Sequence, residues 1–202
     1  MAGLRSFLPL AAVFLATGCA ASGPPFTDAP PSVNKALVYI YRPYDKWVGI
    51  QDAGFDANGK RIGFLNPGGY TYFHAPPGHY DIRQFWPMGL WTLQEPALWK
   101  DLHVMADLNA GETRYIRLQV RETGSSQCPG PTTSVIEPDG SESRYFNVGT
   151  YVYDPANVGA GPSASWCIGM NLAEVRAEVG RGEILAQKFQ TQNRAMPTEY
   201  KP

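Results

Sequence analysis

Two histidines bracket a proline-glycine turn in this 202-residue chain: His74 and His79 flank Pro76-Pro77-Gly78, with Asp81 two residues further on. These are donor types for a metal centre, and zinc asks for at least three protein ligands. Nothing in the spacing makes the three side chains converge. The simpler reading is a pair of partly exposed residues beside a turn, and no metal site is assigned. Asp52, Asp56 and Asp81 have the chemistry that hydrolases use in carboxylate pairs. Carboxylates near turns are ordinarily solvated or capping groups. The chain has no Gly-x-Ser-x-Gly elbow and no Gly-x-x-x-x-Gly-Lys-Ser/Thr phosphate loop. No catalytic residue and no cofactor are therefore assigned.

The chain has 3 cysteines, Cys19, Cys128 and Cys167. In an oxidising compartment Cys128 and Cys167 would persist as a disulfide. It would close a loop of about 40 residues and stabilise by ~3–4 kcal/mol in the chain-entropy account. The alternative is one reactive thiol with His103 as its base, for which the sequence carries no signature.

Cys19 has a different setting. Arg5 precedes an apolar run over residues 7–15, long enough for a signal-peptide core and too short to span a bilayer. The run ends in Leu15-Ala16-Thr17-Gly18-Cys19. Small residues directly before a cysteine resemble the lipobox of bacterial lipoproteins. The resemblance implies cleavage of residues 1–18, acylation of Cys19 with palmitate-type chains, and attachment to a membrane through that lipid. Several acyl chains anchor stably where one does not. Ala20 in place of aspartate after the cysteine resembles the outer-membrane sorting pattern, which implies an envelope protein facing the periplasm. Residues 19–34 are small, polar and proline-rich and are expected to form a flexible tether lifting the domain off the membrane.

Composition fixes the class of the remainder. With 44% apolar residues there is enough for one real core, while 21 glycines, 18 prolines and only 17% charged residues favour a turn-rich β domain. Formal net charge is −1 and no lysine/arginine run exists, so no nucleic-acid partner is expected.

The elements follow from period and punctuation. Residues 35–42, KALVYIYR, place Leu37, Tyr39 and Tyr41 on one face and Val38 and Ile40 on the other. Both faces are apolar, as in a central strand. A short strand is expected within 44–56 and a hairpin turn at 56–59. Residues 61–65, 70–75 and 80–86 read as three strands of a β-meander joined by Pro-Gly turns. Residues 102–106 and 113–121 are further strands, the second with Ile116, Leu118 and Val120 facing inward. Residues 122–165 read as an insertion containing one strand or hairpin arm near 145–153. Residues 171–190 show a helical period, with Asn171 as N-cap, Glu174 completing a capping box, and Leu172, Val175 and Val179 on one face. Gly180 and Gly182 suggest two short helices rather than one. Residues 191–202 are expected to be a tail, which leaves 35–190 as the domain.

The stretch after residue 85 is set apart by three tryptophans, Trp86, Trp91 and Trp99, among prolines and a glycine. Exposed rings of this kind can meet a partner protein, a glycan or a bilayer surface. Tryptophan is also highly buried on average, so at least one ring belonging to the core is the competing expectation.

Four stretches in order, ALVYIYRP at 36–43, NGKRIGFL at 58–65, GGYTYFHAPPGHY at 68–80 and AGETRYIRL at 110–118, resemble a domain-of-unknown-function family of small bacterial lipoproteins. More distantly, the arrangement resembles prealbumin-like β-sandwiches used as non-catalytic modules. The resemblance implies a mainly β fold, an antiparallel β-sandwich with a short C-terminal helix. It implies a non-enzymatic binding or envelope-maintenance role and brings no catalytic residues. The rival expectation is an envelope hydrolase or metal-dependent enzyme built on His74, His79 and nearby carboxylates.

Overall fold

The computed structural model describes residues 21, 23–45, 52–87, 101–123, 132–136, 142–150, 164–187 and 190–191. Eleven strands are present in the described residues: β1 (Ala36–Arg42), β2 (Ala53–Ala57), β3 (Lys60–Leu65), β4 (Gly69–Ala75), β5 (Gly78–Phe85), β6 (Leu102–Leu108), β7 (Thr113–Thr123), β8 (Thr132–Ile136), β9 (Glu142–Thr150), β10 (Ala164–Val175) and β11 (Gln190–Thr191). One helix, α1 (Ala177–Ala186), follows β10.

The strands form two sheets. The larger has seven strands in the order β11-β4-β1-β7-β10-β9-β8, and the smaller has four in the order β3-β2-β5-β6. The mainly β, two-sheet architecture with a C-terminal helix expected from the sequence is what the chain forms. The large sheet is mixed rather than wholly antiparallel, because β1 runs parallel to β7 and β11 parallel to β4. Between β1 and β7 the chain makes its excursion through the small sheet, so β7 enters beside β1 in the same direction.

The expected meander is corrected. β3, β4 and β5 have nearly the predicted bounds, yet β3 does not pair with β4, nor β4 with β5. β3 pairs with β2, β4 with β1, and β5 with β2 and β6. The two Pro-Gly turns carry the chain from the small sheet to the large one and back. Gly68 sits at φ 73°, a left-handed conformation that costs glycine nothing, and its N–H donates to the Arg42 carbonyl at 2.8 Å. The turn after β2 behaves as expected of a hairpin. Asn58 and Gly59 both have positive φ, 47° and 75°, the signature of a type I′ turn.

Strand alternation then divides the apolar residues. Ala36, Val38 and Ile40 of β1, with Phe73, Ile116, Leu118 and Leu172, face the inward sides of Phe55, Ile82 and Leu102 in the main core. Leu37, Tyr39 and Tyr41 face the other way and join Tyr70, Tyr115 and Ile184 in a second apolar layer. β1 is buried along its whole length, as a central strand covered on both faces should be.

Among the described residues, Arg42, Asp45 and Asp56 are buried charges. Arg42 continues the inward phase of Val38 and Ile40 and is fully buried. Its Nε and Nη2 donate to Asp45 Oδ2 at 3.1 and 2.8 Å, its Nη1 donates to the Leu65 carbonyl at 3.3 Å, and its guanidinium lies 5.3 Å from the Trp86 ring centroid. Burial pulls the Arg42 pKa below its ordinary value, and the Asp45 carboxylate opposes that pull.

The C-terminal third departs furthest from expectation. Within residues 122–165, expected as an insertion, the described strands join the large sheet. β9 pairs with β10 and β8 with β9, so these strands widen the large sheet. Asn171 does not cap a helix. It stands in β10 opposite Gln119 of β7 and Ser143 of β9, and Glu174 stands opposite Ile116. Asn171 is paired on both sides and residues 172–175 with β7, and that ladder pairing overrides a capping box recognised by residue type. The helix begins later, with Arg176 at the N-cap position and no side-chain cap. Leu172 is in the main core, Val175 borders the second layer, and Val179 is exposed, so the three do not share a buried helical face.

The helix is continuous across both glycines. A Cβ on Gly180 would lie 2.6 Å from Cβ and Cγ of Tyr115, so glycine here permits the helix to touch the sheet. A Cβ on Gly182 would meet nothing within 4 Å. Alanine raises helix propensity by ~1 kcal/mol over glycine. Gly182→Ala should therefore raise stability by roughly 0.5–1 kcal/mol, whereas Gly180→Ala should lower it by ~1–3 kcal/mol through overpacking. Parallel urea melts of the two variants check the opposite signs.

Candidate functional site

The outer face of the large sheet, beneath α1, carries the densest organised group of polar and aromatic side chains. Strand alternation puts Leu37, Tyr39 and Tyr41 of β1 beside His74, Tyr72 and Tyr70 of β4 in register, with Tyr115 of β7 on the other flank. Tyr39 and Tyr115 are stacked, with centroids 4.9 Å apart and planes inclined by 16°. Tyr72 and Tyr70 approach Tyr39 in tilted geometry at 5.7 and 6.4 Å. The helix closes one side of this floor. Glu183 accepts from the Tyr41 hydroxyl at 2.6 Å and from Arg117 at 2.8 Å, tying α1 to the two central strands.

The other side is closed by residues 23–32, expected from the sequence to be a flexible tether. They lie against the tyrosine floor instead. The Phe26 ring packs on Tyr39 and Tyr70 at 5.5 and 5.0 Å. The Thr27 amide donates to the Tyr70 hydroxyl at 3.4 Å, and the Ala29 amide to the Tyr39 hydroxyl at 2.7 Å. His74 Nε2 donates to the Pro30 carbonyl at 2.9 Å. Asp28 accepts from Arg181 of α1 at 3.1 and 2.8 Å, and that pairing holds the Asp28 carboxyl below the usual carboxylate range. Further toward the N-terminus, the Ala21 amide donates to the Pro67 carbonyl at 3.3 Å. The tether reading fails because the four prolines of this segment reduce its freedom before it docks, while Phe26 and Ala29 bury apolar surface.

Between this strap and α1 an open cavity of about 370 Å³ remains. Its floor is Leu37, Tyr39 and Tyr115, and its rim is Asp28, Glu178 and Arg181. Burial pushes the Tyr39 hydroxyl up to about 12 and raises Tyr115 as well. For Tyr41, burial comes first and the hydrogen bond to Glu183 second, both raising its pKa. A phenol whose folded pKa lies above its unfolded value of about 10 contributes stability that is intact below pH 10. That contribution is lost as pH climbs through about 12. The fold should therefore weaken over this alkaline window, and Tyr39→Phe should flatten part of the loss in denaturant midpoints measured against pH.

The outer face of the small sheet holds the remaining candidate residues. His79 pairs with Asp107, and His103 Nδ1 lies 2.8 Å from Asp81 Oδ1. Arg83 bridges Asp101 at 3.0 Å and Asp56, and Arg61 also meets Asp56. The Arg61 guanidinium lies 4.2 Å from the Phe85 centroid. These are ion pairs on the outer face of the small sheet, with Asp56 buried and the other partners at least partly exposed. His74 stands on the large sheet and His79 on the small one, so the structure does not bring the two histidines together. Asp81 and Asp56 are each engaged by basic partners rather than by one another. No group of three potential metal ligands occurs among the described residues.

The other sequence candidates divide simply. Trp86 is a core residue, 6% exposed and packed among the main cluster, so it is not part of a binding surface. Trp91, Trp99, Cys19 and Cys128 lie outside the described residues, and Cys167 is placed only as a backbone position on β10. Sequence reading missed the tyrosine floor as a site. The signal was the phase shared by Tyr39, Tyr41 and the proline-bearing segment just upstream.

Residues 32–131 match the family described as protein of unknown function, DUF2846. Over that segment, which runs from the end of the strap past β7, the chain belongs to this family. No curated protein and no solved structure matches the chain.

Proposed function

We propose that this chain is a bacterial envelope lipoprotein, anchored through acylated Cys19, whose β-sandwich acts as a non-enzymatic binding module. The observation that carries the reading is the run Leu15-Ala16-Thr17-Gly18-Cys19 after a short apolar segment. Two features support it. The ordered domain begins within a few residues of the cysteine, as in a protein held at a surface. Among the described residues, His79–Asp107, Arg83–Asp101 and His103–Asp81 are bridges across the outer face of the small sheet. Ala20 favours the outer membrane facing the periplasm, and an envelope protein or glycan is the partner class. The oxidising setting also favours a disulfide between Cys128 and Cys167.

With Ala21 bonded to the Pro67 carbonyl, the anchor leaves little slack, and the domain sits close to the bilayer. Cys19→Ser should shift the protein from the membrane pellet to the soluble or signal-retained fraction, with loss of lipid labelling. Unchanged lipid labelling of the serine variant would refute the anchor.

A further inference from the structure

The strap is bound in the manner of a peptide ligand. Its two central amides donate to tyrosine hydroxyls, its Pro30 carbonyl accepts from His74, its aromatic side chain seats on a ring cluster, and its one carboxylate meets Arg181. Most of these contacts read backbone groups and a proline-containing chain rather than a unique sequence. The segment Gly23-Pro24-Pro25-Phe26-Thr27-Asp28-Ala29-Pro30-Pro31-Ser32 has prolines at both ends of the contact. Prolines and their preceding residues are pre-ordered, so such a chain binds with little further loss of freedom. Aromatic-lined grooves that take proline-rich segments use the same economy.

We infer that the outer face of the large sheet is a recognition groove for proline-containing peptides carrying an aromatic and an acidic residue, and that the chain's own residues 24–31 occupy it in cis. The inference names the partner class for the binding-module reading, and does not depend on the lipid anchor. A partner peptide enters as the strap leaves, pairing its carboxylate with Arg181 and its aromatic ring with Tyr39 and Tyr70. The cavity beside Asp28 gives a second chain a place to begin, because it is lined by Tyr39, Tyr115 and Arg181 between the strap and α1. Binding in trans is held down by the tethered strap, whose effective concentration is in the millimolar range for so short a connection. Displacing the strap also frees the segment beside Cys19, so partner capture lengthens the link between domain and anchor.

The test uses the detergent-solubilised full chain and a fluorescein-labelled synthetic peptide spanning residues 23–32, followed by anisotropy. Weakening the strap by Phe26→Ala with Asp28→Ala leaves the groove residues untouched. That chain should bind the peptide at least ~10-fold tighter than the parent, by removal of the cis competitor. Adding Arg181→Ala to it should weaken binding several-fold, as should replacing the peptide's aspartate. If the doubly changed chain melts early, Thr27→Pro serves instead, since it removes one strap amide donor and no core contact. Equal binding by parent and weakened chain, no binding by either, or binding indifferent to Arg181→Ala overturns the inference. A parent dimer that the peptide dissociates in sedimentation would make the occupant the strap of a second copy, and would overturn a separate peptide partner. None of these results bears on lipid labelling at Cys19, so the two readings fail separately.

Discussion

Replacing Asp45 by alanine is expected to lower stability by ~3–5 kcal/mol, the range for removing one partner of a buried ion pair. Arg42 is fully buried, and two of its nitrogens donate to the same Asp45 oxygen. Deleting that oxygen leaves a guanidinium in the sandwich interior facing the Leu65 carbonyl and the Trp86 ring. Desolvation of the cation then loses its Asp45 partner, and Asp52 opposes only part of it. The same logic predicts that Arg42→Met alone is also costly, because it removes the guanidinium that meets a buried carboxylate. Replacing both, as Arg42→Met with Asp45→Leu, should recover most of the loss, since well-packed apolar substitutes for a buried pair are often neutral or better. Urea denaturation of the single and double variants decides the matter. A loss under 1 kcal/mol for Asp45→Ala would mean that the pair is solvated and the interior charge is not held as described.

The second large effect is expected from reduction. Cys167 stands directly opposite Thr123 across β7 and β10, and Cys128 follows Thr123 by only five residues. The proposed pairing with Cys167 rests on the oxidising compartment. A bond here closes a loop of about 40 residues in the unfolded chain, worth ~3–4 kcal/mol by loop-closure entropy. Protein from an oxidising compartment should show both cysteines protected from alkylation until reduced, and reduction should lower the melting temperature. The edge strand β8 and its neighbour β9 lie within that loop and should show the largest rise in hydrogen exchange. Two free thiols in the native chain would overturn the assignment.

How much of this was legible differs by element. Strand bounds in the first 120 residues followed from alternation and Pro-Gly punctuation, and β1 was readable as central because both of its faces are apolar. Which sheet each strand joins was not readable. The turn at 66–69 has the same chemistry whether the chain folds back on its neighbour or crosses to another sheet, and pairing is decided by distant partners. Arg42 was missed although it continues the inward phase of Val38 and Ile40, because arginine at a strand end is ordinarily read as solvent-facing. Asn171 and Glu174 matched a capping box by type, yet β7 holds the whole segment extended and β9 pairs with it at Asn171. The strap was mistaken for a tether because its composition is that of a linker. What orders it are Tyr39, Tyr70, His74 and Arg181, contributed by three other elements, and no local window contains them. The catalytic alternative rested on His74 and His79 being close in sequence, and the chain places them on different sheets.

The claim on which the functional account most depends is the anchor at Cys19, and intact-mass and N-terminal peptide spectrometry of the protein purified from bacterial membranes tests it most directly. The account predicts a mature N-terminus at Cys19 carrying acyl mass on that residue, with residues 1–18 absent. An N-terminus at any other residue, or an unmodified Cys19, would contradict it.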